Sequence, residues 1–159
     1  MELTSFPPDN LPQSDFPNEV IPHWKLIFKG EISASSLQQI SPTAFAYIGD
    51  AVYELYIRTH FLLPAKKISD YHHRVVEKVR AETQASYLQK LYPILNETEC
   101  NWVRRGRNSV NKSPRRLSLQ VYQQATGLET LLGYLYVFDR DRLHFILSQL
   151  NDYLVSGKK

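Results

Sequence analysis

From Ser41 to Leu63 the chain reads SPTAFAYIGDAVYELYIRTHFLL. Ser41 followed by Pro42 predicts a helix start, an N-cap and then a first-turn proline whose missing N–H costs nothing there. Ala44, Phe45, Ile48, Val52, Leu55 and Ile57, with Tyr47, Tyr53 and Tyr56, leave this helix almost no polar face. A helix apolar nearly all round is buried, or packs on two neighbours at once.

The same reading places the remaining elements. Ser69 or Asp70 caps a helix running to about Leu91, with Tyr71, Val75, Val79, Ala85, Leu88 and Leu91 as its inner stripe. Pro93 closes it. Asn96-Glu97-Thr98-Glu99 has the form of a capping box and opens a helix through Trp102 towards Asn108, with Gly106 at its end or at a bend. A polar loop, SVNKSPRR, leads to a long apolar helix from Leu117 to Phe138. Asp139 or Asp141 starts a last amphipathic helix with Leu143, Ile146, Leu147, Leu150 and Leu154 on its buried stripe. Ahead of all this, five of the nine prolines fall within Met1–Pro22. Residues 1–30 are therefore expected to be an extended or disordered arm, with an apolar anchor at His23–Phe28, before a domain over 31–159. A short helix is expected at Ser33–Ile40. No strand-like alternation of useful length occurs, so the fold class is all-α, with roughly five to seven helices.

The two apolar helices share an oddity. Asp50 sits mid-helix beside Gly49, with Glu54 one turn on and able to pair with Arg58. Glu129 is the only charged residue from Leu117 to Phe138, and Gly133 lies one turn after it. Two lone acids, each with a glycine that lets backbones close up, predict crossing helices that bring the carboxylates together. Converging carboxylates repel unless a proton or a cation intervenes. Oxygen-only ligands with open positions suit Mg²⁺, with Mn²⁺ as a substitute, better than zinc. His72 and His73 are adjacent, point to different helix faces, and so do not make a shared metal site.

Composition adds exclusions. A single cysteine, Cys100, rules out an internal disulfide framework and a cysteine zinc cage. No apolar run is long and clean enough to span a membrane, and the start MELTSFPPDN lacks the basic and apolar regions of a secretory signal. A cytoplasmic location is expected. The net charge of +3 hides an uneven distribution: Pro64–Arg116 holds twelve Lys/Arg against five Asp/Glu. Six basic residues and no acid lie between Asn101 and Arg116: Arg104, Arg105, Arg107, Lys112, Arg115 and Arg116. Five are arginine, whose planar fork suits phosphate oxygens, and Asn108 adds a neutral donor. Beside a divalent-metal site, such a segment is the equipment of phosphodiester cleavage.

AYIGDAVYE at Ala46–Glu54 resembles the signature helix of the ribonuclease III endonuclease domain. WVRRGRNS at Trp102–Ser109 and ATGLETLLGYLYV at Ala125–Val137 are similar to the dimeric Mini-ribonuclease III branch. The resemblance spans Ile40 to about Leu154. It implies an all-α homodimer that cuts double-stranded RNA with Mg²⁺ held by acidic side chains, leaving 5′ phosphates. Asp50 then takes the role of the signature aspartate and Glu129 that of the later glutamate. Classical members carry further acids where Ala46, Thr43 and Thr126 stand here, and a double-stranded-RNA-binding domain for which this chain leaves no room. The resemblance further implies maturation of large-subunit (23S) ribosomal RNA, with precursor ribosomal RNA as substrate and large-subunit components as further partners. The competing reading is a catalytically silent RNA-binding or ribosome-assembly protein of the same fold. Retention of isolated acids in apolar helices argues against it, since a pure binder has no need of them.

Overall fold

The computed structural model describes residues 39–156. The arm expected at 1–30 lies outside them, as does the helix expected at Ser33–Ile40 apart from Gln39 and Ile40, which are not helical. The described residues form six α-helices and no strand: α1 (Pro42–Leu62), α2 (Ile68–Val79), α3 (Ala81–Leu91), α4 (Glu97–Asn108), α5 (Leu119–Phe138) and α6 (Arg140–Ser156). The all-α expectation holds.

Local chemistry sets the helix boundaries. The Ser41 hydroxyl accepts from the Ala44 N–H at 3.1 Å, which caps α1. At α4 the capping box is reciprocal: Asn96 Oδ1 accepts from the Glu99 N–H and Glu99 Oε2 from the Asn96 N–H, both at 2.9 Å. Ser118 caps α5 through the Val121 N–H, so that helix starts two residues later than its apolar pattern suggests. A 3₁₀ turn, Tyr92–Ile94, joins α3 to α4.

Two expectations are corrected. The single helix read from Ser69 or Asp70 to Leu91 is two, broken at Arg80, whose backbone is extended (ψ 147°). Neither glycine nor proline marks the break. Tertiary bonds stabilise it instead: Tyr53 Oη donates to the Lys78 carbonyl at 2.8 Å and Thr83 Oγ1 to the Glu77 carbonyl at 2.9 Å. The carbonyls freed at the end of α2 thus find side-chain donors. Gly106, expected at an end or bend, lies within α4 and is buried. A Cβ there would sit 2.2 Å from Thr130 Oγ1, so the glycine permits close approach of α4 to α5.

Helix α5 is the hub, with α1, α3, α4 and α6 packed around it. Leu128, Leu131, Leu132 and Leu135 fill the centre with Tyr53 and Ile57 of α1, Leu88 and Leu91 of α3, and Ile146 and Leu150 of α6. Burying each such side chain contributes on the order of 1.5–3 kcal/mol. Helix α1 is only half covered within one chain: Phe45, Gly49, Tyr53 and Ile57 are buried, whereas Tyr47 is 85% and Leu55 66% exposed. No helix among the described residues is long and apolar enough to cross a membrane.

Candidate active site

The two acid-bearing helices cross at their glycines. A Cβ on Gly49 would lie 1.7 Å from the Glu129 carbonyl oxygen, and one on Gly133 would lie 1.9 Å from the Phe45 carbonyl oxygen. No side chain fits at either position without moving a backbone, so this is a backbone-to-backbone contact that only glycine allows. The crossing that the lone acids and their glycines predict is present.

Asp50 and Glu129 occupy this crossing in unlike surroundings. Asp50 is exposed, whereas Glu129 is mostly buried. Burial and, after it, the charge of Glu54 raise the Asp50 carboxyl above its usual range. Glu129 is pushed up to about 7, by burial first and then by the charge of Asp50, while a hydrogen bond from Gln84 pulls the other way. Among the described residues no lysine or arginine pairs with either acid. Arg58, the nearest candidate along α1, bonds Glu54 one turn away, as their spacing predicts.

An acid pair of this kind fits a hard divalent cation. It offers carboxylate oxygens alone, carries repulsion that a cation would relieve, and is exposed on the Asp50 side. No cluster of three or more His, Cys, Asp or Glu suited to a metal occurs among the described residues. The positions where classical ribonuclease III members have additional acids hold Ala46 and Thr126, both buried, and Thr43. Two carboxylates with the remaining positions open would match the habit of Mg²⁺, which keeps several waters and takes the rest of its shell from substrate phosphates.

Gln84 went unnoticed in the sequence. It is 2% exposed on the inner face of α3, and its side chain donates to the Val79 carbonyl at 3.2 Å. Its spacing carried the signal, since Gln84, Leu88 and Leu91 fall on one helical face and a glutamine in a core stripe asks for a partner.

The basic residues collect on α4 and the loop behind it. Arg104, Arg105, Asn108, Lys112, Arg115 and Arg116 are exposed. Arg104 is held by Asn101 Oδ1 at 2.7 Å, and the Arg105 guanidinium lies 4.0 Å from the Trp102 ring centroid. Arg107 differs: it is half-buried, reaches Tyr92 Oη at 3.5 Å, and packs its stem against Gly127 of α5.

Known proteins resemble this chain. The Ribonuclease III domain family matches residues 43–140. The chain is 52% identical over 115 residues to Mini-ribonuclease 3 of Synechocystis sp., covering 72% of this chain and 80% of that protein. It is 51% identical to Mini-ribonuclease 3 of Synechococcus sp., covering 75% of this chain and 86% of the relative. A crystal structure of a protein from Fusobacterium nucleatum is similar, with a TM-score of 0.68 and 26% identity, over 73% of this chain and 95% of that one.

Proposed function

The chain belongs to the ribonuclease III family and is an endoribonuclease, and from that premise we propose that it hydrolyses double-stranded RNA with Mg²⁺ held between Asp50 and Glu129. One observation carries the metal assignment: a mostly buried Glu129 carboxyl pushed up to about 7 beside Asp50, with no cation from the described chain to neutralise the pair. Mn²⁺ fits the same oxygen donors.

Bound there, Mg²⁺ supplies the Lewis acidity for attack of water on the phosphodiester and for the charge that builds on the leaving 3′ oxygen. The chain's own residues do the rest. Asp50, at the open side, faces the incoming phosphate; Glu129 holds its carboxylate at the α1–α5 crossing. Arg104, Arg105, Lys112, Arg115 and Arg116, with Asn108, contact backbone phosphates, while Arg107 serves to seat α4 on α5. Because the A-form major groove is too narrow to read, selection rests on duplex shape, 2′-hydroxyls and phosphates. In a two-fold dimer each protomer cuts one strand and leaves a 5′ phosphate. The natural substrate in this reading is precursor large-subunit (23S) ribosomal RNA, processed in the cytoplasm.

The test is direct. Pure protein is incubated with a long RNA duplex, with Mg²⁺ or with EDTA, and the fragment ends are mapped. Short 5′-phosphorylated duplexes that need Mg²⁺ are expected. Intact duplex in Mg²⁺, bound but uncut, would instead identify a silent RNA-binding protein.

A further inference from the structure

We propose that the cleft between the C-terminal end of α1, α2 and the end of α6 binds a nucleoside 5′-monophosphate, at a site apart from the acid pair. The cleft holds about 500 Å³, the size of a small-molecule site. His60 in its wall lies about 15 Å further along α1 than Asp50, and neither Asp50 nor Glu129 lines it. One wall is cationic and rich in N–H donors: His60 of α1 with His73, Arg74 and Lys78 of α2. Its one carboxylate, Glu77, is taken by Lys78, whose Nζ lies 3.1 Å away. Arg74 is exposed, and among the described residues no carboxylate pairs with it, not even Asp70 one turn earlier. Lys78 lies one turn after Arg74 on the same face, a like-charge spacing whose repulsion a bound anion would relieve. The guanidinium fork suits phosphate oxygens, and imidazoles donate N–H bonds to them. The other wall is apolar, with Phe61 and Leu63 on one side and Leu154 and Val155 on the other. Leu63 and Val155 are 76% and 68% exposed, and the Phe61 ring is T-shaped against His60 at 4.9 Å. Apolar surface left open beside an unpaired arginine fits a ligand with both characters. A nucleotide has them: a phosphate for Arg74, and a base whose flat face packs on aromatic and aliphatic side chains.

The experiment uses the full chain in EDTA, with AMP as the probe and adenosine beside it, read by titration calorimetry. AMP should bind at one site per chain, and adenosine at least about 10-fold more weakly, since the charge-assisted bonds are lost. Arg74→Ala should weaken AMP by a similar factor with Tm unchanged, and Arg74→Lys should recover part of the loss. Replacing Arg115 and Arg116 by alanine should leave AMP binding as in wild type, because that basic loop is a different surface. A trinucleotide with a 5′ phosphate separates the two sources of the ligand. Binding as tight as that of AMP, lost when the end is a 5′ hydroxyl, assigns the cleft to the end of an RNA strand. Binding of AMP alone assigns it to the free nucleotide. AMP that binds no tighter than adenosine overturns the inference, as does binding that survives Arg74→Ala or vanishes with Arg115 and Arg116. Asp50→Asn runs alongside and should bind AMP as wild type does, whether or not that acid holds Mg²⁺; loss of AMP there would move the nucleotide to the acid pair and overturn the cleft.

Discussion

Glu129 concentrates the chemistry of the fold in one carboxyl. Its folded pKa of about 7 lies above the ordinary value of 4.5, so between those pH values the folded chain holds a proton that the unfolded chain has released. The contribution of this carboxyl to stability without metal is therefore greatest below the lower value and is lost as pH rises through the upper one, by on the order of 3 kcal/mol. Glu129→Gln removes that dependence. Denaturant melts in EDTA from pH 4.5 to 8 should show wild type losing ground to Glu129→Gln as pH rises; parallel curves would contradict the burial of this acid. Both lone acids were legible because a charge in an apolar helix stands out. Their difference was not: both acids sit in apolar helices, yet Asp50 is exposed and Glu129 carries the burial. Which flank of a helix is covered depends on where its neighbours pack. The inward turn of Arg107 went unread for the same reason.

At the scale of elements, the crossing of α1 and α5 is what makes two distant acids a site. Gly49→Ala or Gly133→Ala puts a methyl within 2 Å of a backbone oxygen, which no side-chain shift relieves. Each should destabilise the fold by about 3 kcal/mol or more, at the upper end for overpacking. A melt within about 2 °C of wild type would show that the helices cross with more room. The capping box has a tertiary tie that its motif did not reveal: Arg142 of α6 donates to both oxygens of Glu99, at 2.6 and 2.9 Å, and to the Ile94 carbonyl. Burial acts to raise the Glu99 carboxyl, but the bonds from Arg142 and the Asn96 N–H hold it below its usual range. Arg142→Ala strands a carboxylate that is 2% exposed and should cost about 3–5 kcal/mol, read as a lower urea midpoint. Capping and periodicity located most helices, since both are local. The break at Arg80 is not local, resting on Tyr53 from a helix far away in sequence.

In the whole molecule, the uncovered flank of α1, with Tyr47, Ala51 and Leu55 outward at four-residue spacing, is where a second copy would pack. Light scattering is expected to give twice the chain mass of 18.5 kDa at micromolar concentration; the single mass would contradict a dimer built on this face. The basic surface should register as salt dependence. Replacing Arg115 and Arg116 by alanine should weaken duplex binding across sequences and flatten the salt slope by roughly one unit for each phosphate no longer neutralised, whereas Arg107→Ala should chiefly lower stability. The paired acids bear on everything else, and they are tested most directly by the cleavage rate of Asp50→Asn and Glu129→Gln on a long duplex in Mg²⁺. Both variants keep the shape of the site, and both should bind duplex in EDTA as wild type does yet cut none of it. Cleavage at the wild-type rate by either variant would contradict the assignment of that acid as a ligand.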